Sequence, residues 1–180
     1  MKCVLLLSVA SCPLLLAGCA EQVSNPSATE QAGPSSAPAV NGSKYILTAE
    51  PKGAGDVIKV REDAGDGEEI VIVGRIGGSA NPWIEGRAAF SIVDGSLKAC
   101  SDIEGDKCPI PWDYCCETPK LPTATALVKI VDEGGNLVKA DARQLLSVKE
   151  LSTVVVKGKA KRDEAGNLTV LASGVFVKKK

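Results

Sequence analysis

Five runs of β-branched and apolar residues, each closed off by turn residues, limit what this chain can fold into. They are EIVIVGRIGG (69–78), AAFSIVD (88–94), ATALVKIVD (124–132), STVVVKGKAKRD (152–163) and NLTVLASGVFVKK (167–179). Such runs read as strands. In the second, alternation predicts Ala89, Ser91 and Val93 inward and Phe90 and Ile92 on the other face. Asp163-Glu164-Ala165-Gly166-Asn167 is a hairpin signal between the last two strands. Asp132-Glu133-Gly134-Gly135-Asn136 is a similar turn, expected to start a short return strand over Leu137–Ala140. Helix signals are few. Asp56 is placed to cap DVIKVREDA, with Val57, Val60 and Ala64 on one face and Gly65 as the stop; Asp141 is placed to cap ARQLL, with VKEL adding a turn.

Five strands with a helix between the third and fourth predict a mainly β fold, a five-stranded OB-fold-like Greek-key barrel. Gly74 and Gly158 fall late in β-branched runs, where the first and fourth strands of a small barrel must bend. The alternative is an immunoglobulin-like β-sandwich. The order of elements over residues 54 to 177 resembles the bacterial OB-fold family of periplasmic proteins. That resemblance implies a ligand face on the loop after strand one and on strands two and three, which selects Trp83, Arg87 and Phe90 as ligand-binding residues. A Trp in the loop SANPWIEG is also expected as a plug over the barrel end, because its area is costly to leave wet.

The first 18 residues are not part of this pattern. Lys2 precedes an apolar run, Val4–Leu16, too short to span a bilayer and broken by Ser8, Ser11 and Pro13. Leu16-Ala17-Gly18-Cys19 resembles the bacterial lipobox, which implies cleavage before Cys19 and lipidation of its thiol, with acyl chains such as palmitate supplying the anchor. Residues 1–18 are thus expected to be a lipoprotein signal peptide. Residues 19–43 carry the lipidated cysteine and a tether rich in Ser, Ala, Pro and Gly, which cannot bury enough apolar surface to offset its ordering entropy. Residues 44–180 form the domain. Ala20 after the cysteine, with no Asp there, implies sorting to the outer membrane facing the periplasm.

Within the domain, residues 95–122 interrupt the barrel pattern with a long loop holding Cys100, Cys108, Cys115 and Cys116. Four cysteines outside the cytoplasm most simply form two disulfides, with Cys115 and Cys116 each reaching back to Cys100 or Cys108. Trp112 and Tyr114 are expected to pack on those bridges. Two alternatives stay open: a soft-metal site for Zn or Cu(I), with Asp106 or Asp113 as nearby oxygen donors, and an exchange-active dithiol. The spacing lacks the CxxC pairs common in both. Asp102, Glu104, Asp106, Asp113 and Glu117 make the loop acidic without an EF-hand spacing.

Composition then narrows function. The chain has no histidine, which removes the Ser-His-Asp triad, the usual zinc-hydrolase ligands and the commonest neutral-pH proton shuttle. No P-loop or GxGxxG follows a strand. Lys157, Lys159, Lys161, Arg162 and the terminal lysines make the last two strands basic. The full chain holds only two Trp, two Tyr and two Phe, too few for a base-stacking platform, so nucleic acid is not expected as a partner. The sequence predicts a non-catalytic, lipid-anchored binding or adaptor module with no cofactor and an envelope protein or glycan as partner. The alternative is a metal-binding or thiol-redox protein built on the cysteine cluster.

Overall fold

The computed structural model describes residues 40–179, so the expected signal peptide, Cys19 and nearly all of the expected tether lie outside the described residues. The chain runs β1 (Gly55–Asp56), α1 (Val57–Asp63), β2 (Glu69–Ile76), β3 (Ala89–Val93), α2 (Leu121–Ala124), β4 (Thr125–Ile130), α3 (Ala142–Leu146), β5 (Thr153–Arg162) and β6 (Leu168–Val177). Strands β2, β3, β4, β6 and β5 follow one another in a single sheet that closes when β5 pairs with β2. All neighbours are antiparallel except β4 and β6, which are parallel from Leu127–Thr169 to Ile130–Ala172. This order, with α3 between the third and fourth barrel strands, is that of the OB-fold. The two residues of β1 add a parallel edge to β2.

The closure is uneven. β2 pairs with β5 over seven residues, Glu69–Arg75 against Thr153–Lys159, but with β3 only at Arg75 and Ile76. The β5–β6 register shifts between Lys157 and Gly158, where Ser173 is the extra residue on β6. A β-carbon on Gly158 would lie 2.2 Å from the Leu171 carbonyl oxygen, so only glycine lets the two backbones approach this closely.

The barrel interior is filled by Ile70, Ile72, Ile76, Phe90, Ile92, Ala126, Val128, Ile130, Val154, Val156, Val170 and Ala172, with Val57 and Val60 of α1 and Leu145 and Leu146 of α3 joining the same cluster. Phe90 and Ile92 therefore point inward, and Val93 points outward, which corrects the facing expected for β3. The reason is that both faces of β3 carry buried residues: Ala89 and Val93 are as fully buried as Phe90 and Ile92, so alternation could not separate the faces. A second, smaller core of Val93, Leu97, Ala99, Tyr114 and Ala124, flanked by Ile58, Leu121 and Leu151, lies between the barrel wall and the 95–122 loop.

Local signals were realised with exceptions. The hairpin at 163–167 forms with Gly166 in the left-handed region. Asp141 caps α3 by accepting from the Arg143 and Gln144 N–H groups. Asp56 begins α1 but its side chain makes no capping bond. Leu137–Ala140 contributes one bridge to Val131 rather than a strand, and Lys149–Leu151 turns without becoming helical. Asn41 accepts from Ser43 to cap a 3-10 turn at Gly42–Tyr45, whose Tyr45 is buried in the main core.

Candidate functional site

Two sites draw on residues singled out from the sequence: the inserted loop with its cysteines, and the barrel surface beside it. The loop is fixed to the barrel before any question of its chemistry arises. Asp102 forms an ion pair with Arg75 of β2 and accepts from the Ala99 N–H at 3.1 Å. Cys100 N–H donates to the Asp113 carbonyl and Ser101 N–H to the Pro111 carbonyl, both at 2.8 Å, zipping the two ends of the loop together. Tyr114 is wholly buried, and a β-carbon on Gly77 would sit 2.6 Å from its ring, so the glycine at the end of β2 is the floor on which the tyrosine rests. Trp112 donates its indole N–H to the Ala80 carbonyl at 3.0 Å, tying the loop to the β2–β3 connection. Tyr114 thus packs on the barrel wall.

That clamp gathers the thiols. Cys115 Sγ is 3.3 Å from Cys100 Sγ, 3.8 Å from Cys108 Sγ and 3.9 Å from Cys116 Sγ. The sulfurs of Cys100, Cys108 and Cys115 all lie within 4.8 Å of one another. All four cysteines are free, at separations well beyond the roughly 2.05 Å of a disulfide. Cys100 is buried, Cys108 half-buried, and Cys115 and Cys116 exposed. Burial, then hydrogen bonding with the thiols of Cys115 and Cys108, pushes the Cys100 thiol up to about 12. The Cys115 thiol is also raised: its bond with Cys100 favours the thiolate, but Cys108, partial desolvation and Cys116 together outweigh it. Asp106 accepts from the Cys108 N–H at 2.8 Å and its carboxylate also opposes ionisation of Cys100.

The residues expected to bind ligand from the barrel face are not brought together as a surface. Phe90 has no exposed area and Trp83 is 7% exposed; their rings meet at 5.8 Å inside the main core. Trp83 donates its indole N–H to Glu150 at 2.6 Å, and Arg143 lies over its ring, which makes it the plug of the barrel end. Burial removes both rings from solvent, so neither presents a contact face. Arg87 is exposed on the loop.

The open surface lies on the other side of the same strands. Ser91 of β3, Thr125 and Leu127 of β4, and Thr169 of β6 floor a groove of about 340 Å³, with Arg61 of α1, Leu121 and the 163–167 hairpin as its walls. Arg61 donates to the Thr125 carbonyl at 2.7 Å, and the Thr125 hydroxyl is buried without a hydrogen-bond partner. Of the residues picked from the sequence, Trp83 and Phe90 turn into the core and Arg87 is exposed, while Arg61 was missed because a helical arginine carries no signal of what it leans on.

Asp94 positions both sites and was also missed. It is 3% exposed and accepts from the Ile58 N–H at 2.9 Å, capping α1 from the far end of β3, and from the N–H and hydroxyl of Ser96. Burial alone would raise its carboxyl, but these donors hold it below the ordinary carboxylate range.

No family model matches the chain, and no curated protein matches it. Among solved structures it is similar to the hypothetical protein ygiW from E. coli, at 12% identity over 71% of this chain and 94% of that one, with a TM-score of 0.39. It is also similar to an OBody solved bound to hen egg-white lysozyme, at 13% identity over 74% of this chain and 99% of the other, with a TM-score of 0.40.

Proposed function

We propose that the protein is a lipid-anchored envelope lipoprotein, held by Cys19 on the periplasmic face of the outer membrane, whose barrel binds an envelope protein segment or glycan without catalysing a reaction. The observation that carries this reading is the groove across β3, β4 and β6. It lies on the strand face and beside the hairpin that OB-folds use for extended ligands, and its lining combines half-buried apolar area at Leu121 and Leu127 with half-buried Ser91 and Thr169. A groove of this size with a few polar groups suits a short stretch of chain better than a large enclosed ligand. The histidine-free sequence lacks the commonest neutral-pH general acid–base group. Of the residues that the resemblance selected, Trp83 and Phe90 shape the barrel end from inside the core, and Arg87 is exposed outside the groove lining.

The test is photo-crosslinking in intact cells. A photoreactive residue at Leu127 is expected to capture one discrete envelope component, whereas the same residue at Lys157, on the exposed stripe of β5, captures none. Equal or absent capture at both positions counts against the reading.

A further inference from the structure

We infer that Cys100, Cys108 and Cys115 form a three-thiolate site for one soft, thiophilic cation, Cu(I) or Zn(II), per chain. This goes beyond the groove and does not depend on it. The argument begins with geometry. A disulfide consumes sulfurs in pairs, and two disulfides would separate the four cysteines into two bonded couples. Here three sulfurs surround one point instead, with Cys115 3.3 Å from Cys100 and 3.8 Å from Cys108, and all three within 4.8 Å. A tetrahedral ion with metal–sulfur bonds of about 2.3 Å has sulfur–sulfur edges of about 3.8 Å. Two of the three edges, 3.3 and 3.8 Å, lie within about half an ångström of that value, and the third is within 4.8 Å.

The scaffold is already in place. Cys100 and Cys115 belong to two short 3-10 turns, one pinned by the Arg75–Asp102 pair and the other following the buried Tyr114. Asp106 orients the Cys108 backbone. Ligands fixed by surrounding hydrogen bonds and packing lose little entropy when they bind. Thiolate sulfur selects Cu(I) and Zn(II) over hard cations such as Ca2+ and Mg2+, so the acidic residues of the loop are not the ligands. Cys116 is adjacent in sequence to a ligand, and its sulfur is not among the three that converge, so it lies outside the set. Each thiol that coordinates gives up its proton to solvent as its sulfur lone pair binds the ion. Affinity therefore rises with pH.

The experiment uses the full chain in detergent, reduced and handled without oxygen, titrated with Cu(I) against a chromophoric copper chelator and separately with Zn(II) against a zinc indicator. One equivalent of at least one of the two ions is expected, with an ultraviolet thiolate-to-metal absorption for copper and proton release on binding. Cys108→Ser is half-buried and structurally mild; it is expected to weaken binding about 100-fold or more while circular dichroism stays unchanged. Cys116→Ser is expected to change affinity no more than a few-fold. Three results would each overturn the proposal: no uptake of either ion, equal weakening by Cys116→Ser and Cys108→Ser, or protein isolated from the envelope free of metal with all four domain cysteines blocked to alkylation until reduced.

Discussion

Removing the Asp94 carboxylate should loosen helix α1 from the barrel, and the size and pH dependence of the loss follow from its hydrogen bonds. Asp94→Ala deletes three accepted bonds. The two from Ser96 span only two residues, and Ser96 is exposed, so water replaces them at little cost. The bond from Ile58 spans 36 residues and satisfies a donor at a helix start that has no cap of its own. A charged hydrogen bond contributes about 1.5–3 kcal/mol, and loss of an N-cap typically costs about 1 kcal/mol, the two descriptions overlapping in this one bond. The expected destabilisation near neutral pH is about 2–3 kcal/mol, out of a total of roughly 5–15 for a domain of this kind. Because the folded carboxyl titrates below its ordinary value of 3.8, the stabilisation it provides is fully present above the unfolded value and is lost as pH falls through the folded one. Urea unfolding followed by circular dichroism at pH 6 and at pH 3 should therefore show a gap between wild type and variant that narrows at pH 3, with the slope m unchanged. A gap under about 1 kcal/mol at pH 6, or one equally large at both pH values, would refute the reasoning.

Other positions give contrasting outcomes. Tyr114→Phe removes a buried hydroxyl that has no partner, so it should leave stability unchanged or raise it by up to about 1 kcal/mol in the same urea assay. Gly158→Ala forces a β-carbon against the Leu171 carbonyl and should destabilise by about 3 kcal/mol or more, since backbone on both sides must move. Cys19→Ala should shift the chain from the membrane fraction to the soluble fraction on cell fractionation, leaving the unfolding curve of the domain unaltered.

Much of the fold was legible because the barrel strands are β-branched and closed by strong turn chemistry. The hairpin at 163–167 and the cap at Asp141 depend on residues within a few positions of one another, and local signals of that kind survive folding. What failed was long-range. The facing of β3 was misread because Ala89 and Val93 on its outer side are as fully buried as Phe90 and Ile92 on its inner side, and Val93 belongs to the second core beneath the inserted loop. The cap of α1 comes from Asp94 rather than Asp56, a substitution no spacing rule anticipates. Gly77 reads as a turn residue, yet its role is to seat Tyr114 from the far side of the loop. The cysteines were found at once from their number, but their convergence on one point required the Arg75–Asp102 pair and the Tyr114 contact, neither visible along the chain.

The central claim, that the groove on β3, β4 and β6 is where the protein works, is tested most directly by competition on the groove itself. The component captured from Leu127 would be passed over immobilised wild-type protein and over Leu127→Trp and Arg61→Ala proteins of matched circular dichroism. The account predicts retention weakened about 10-fold or more by each change, with Lys157→Ala behaving as wild type. Equal retention on all four proteins would contradict it.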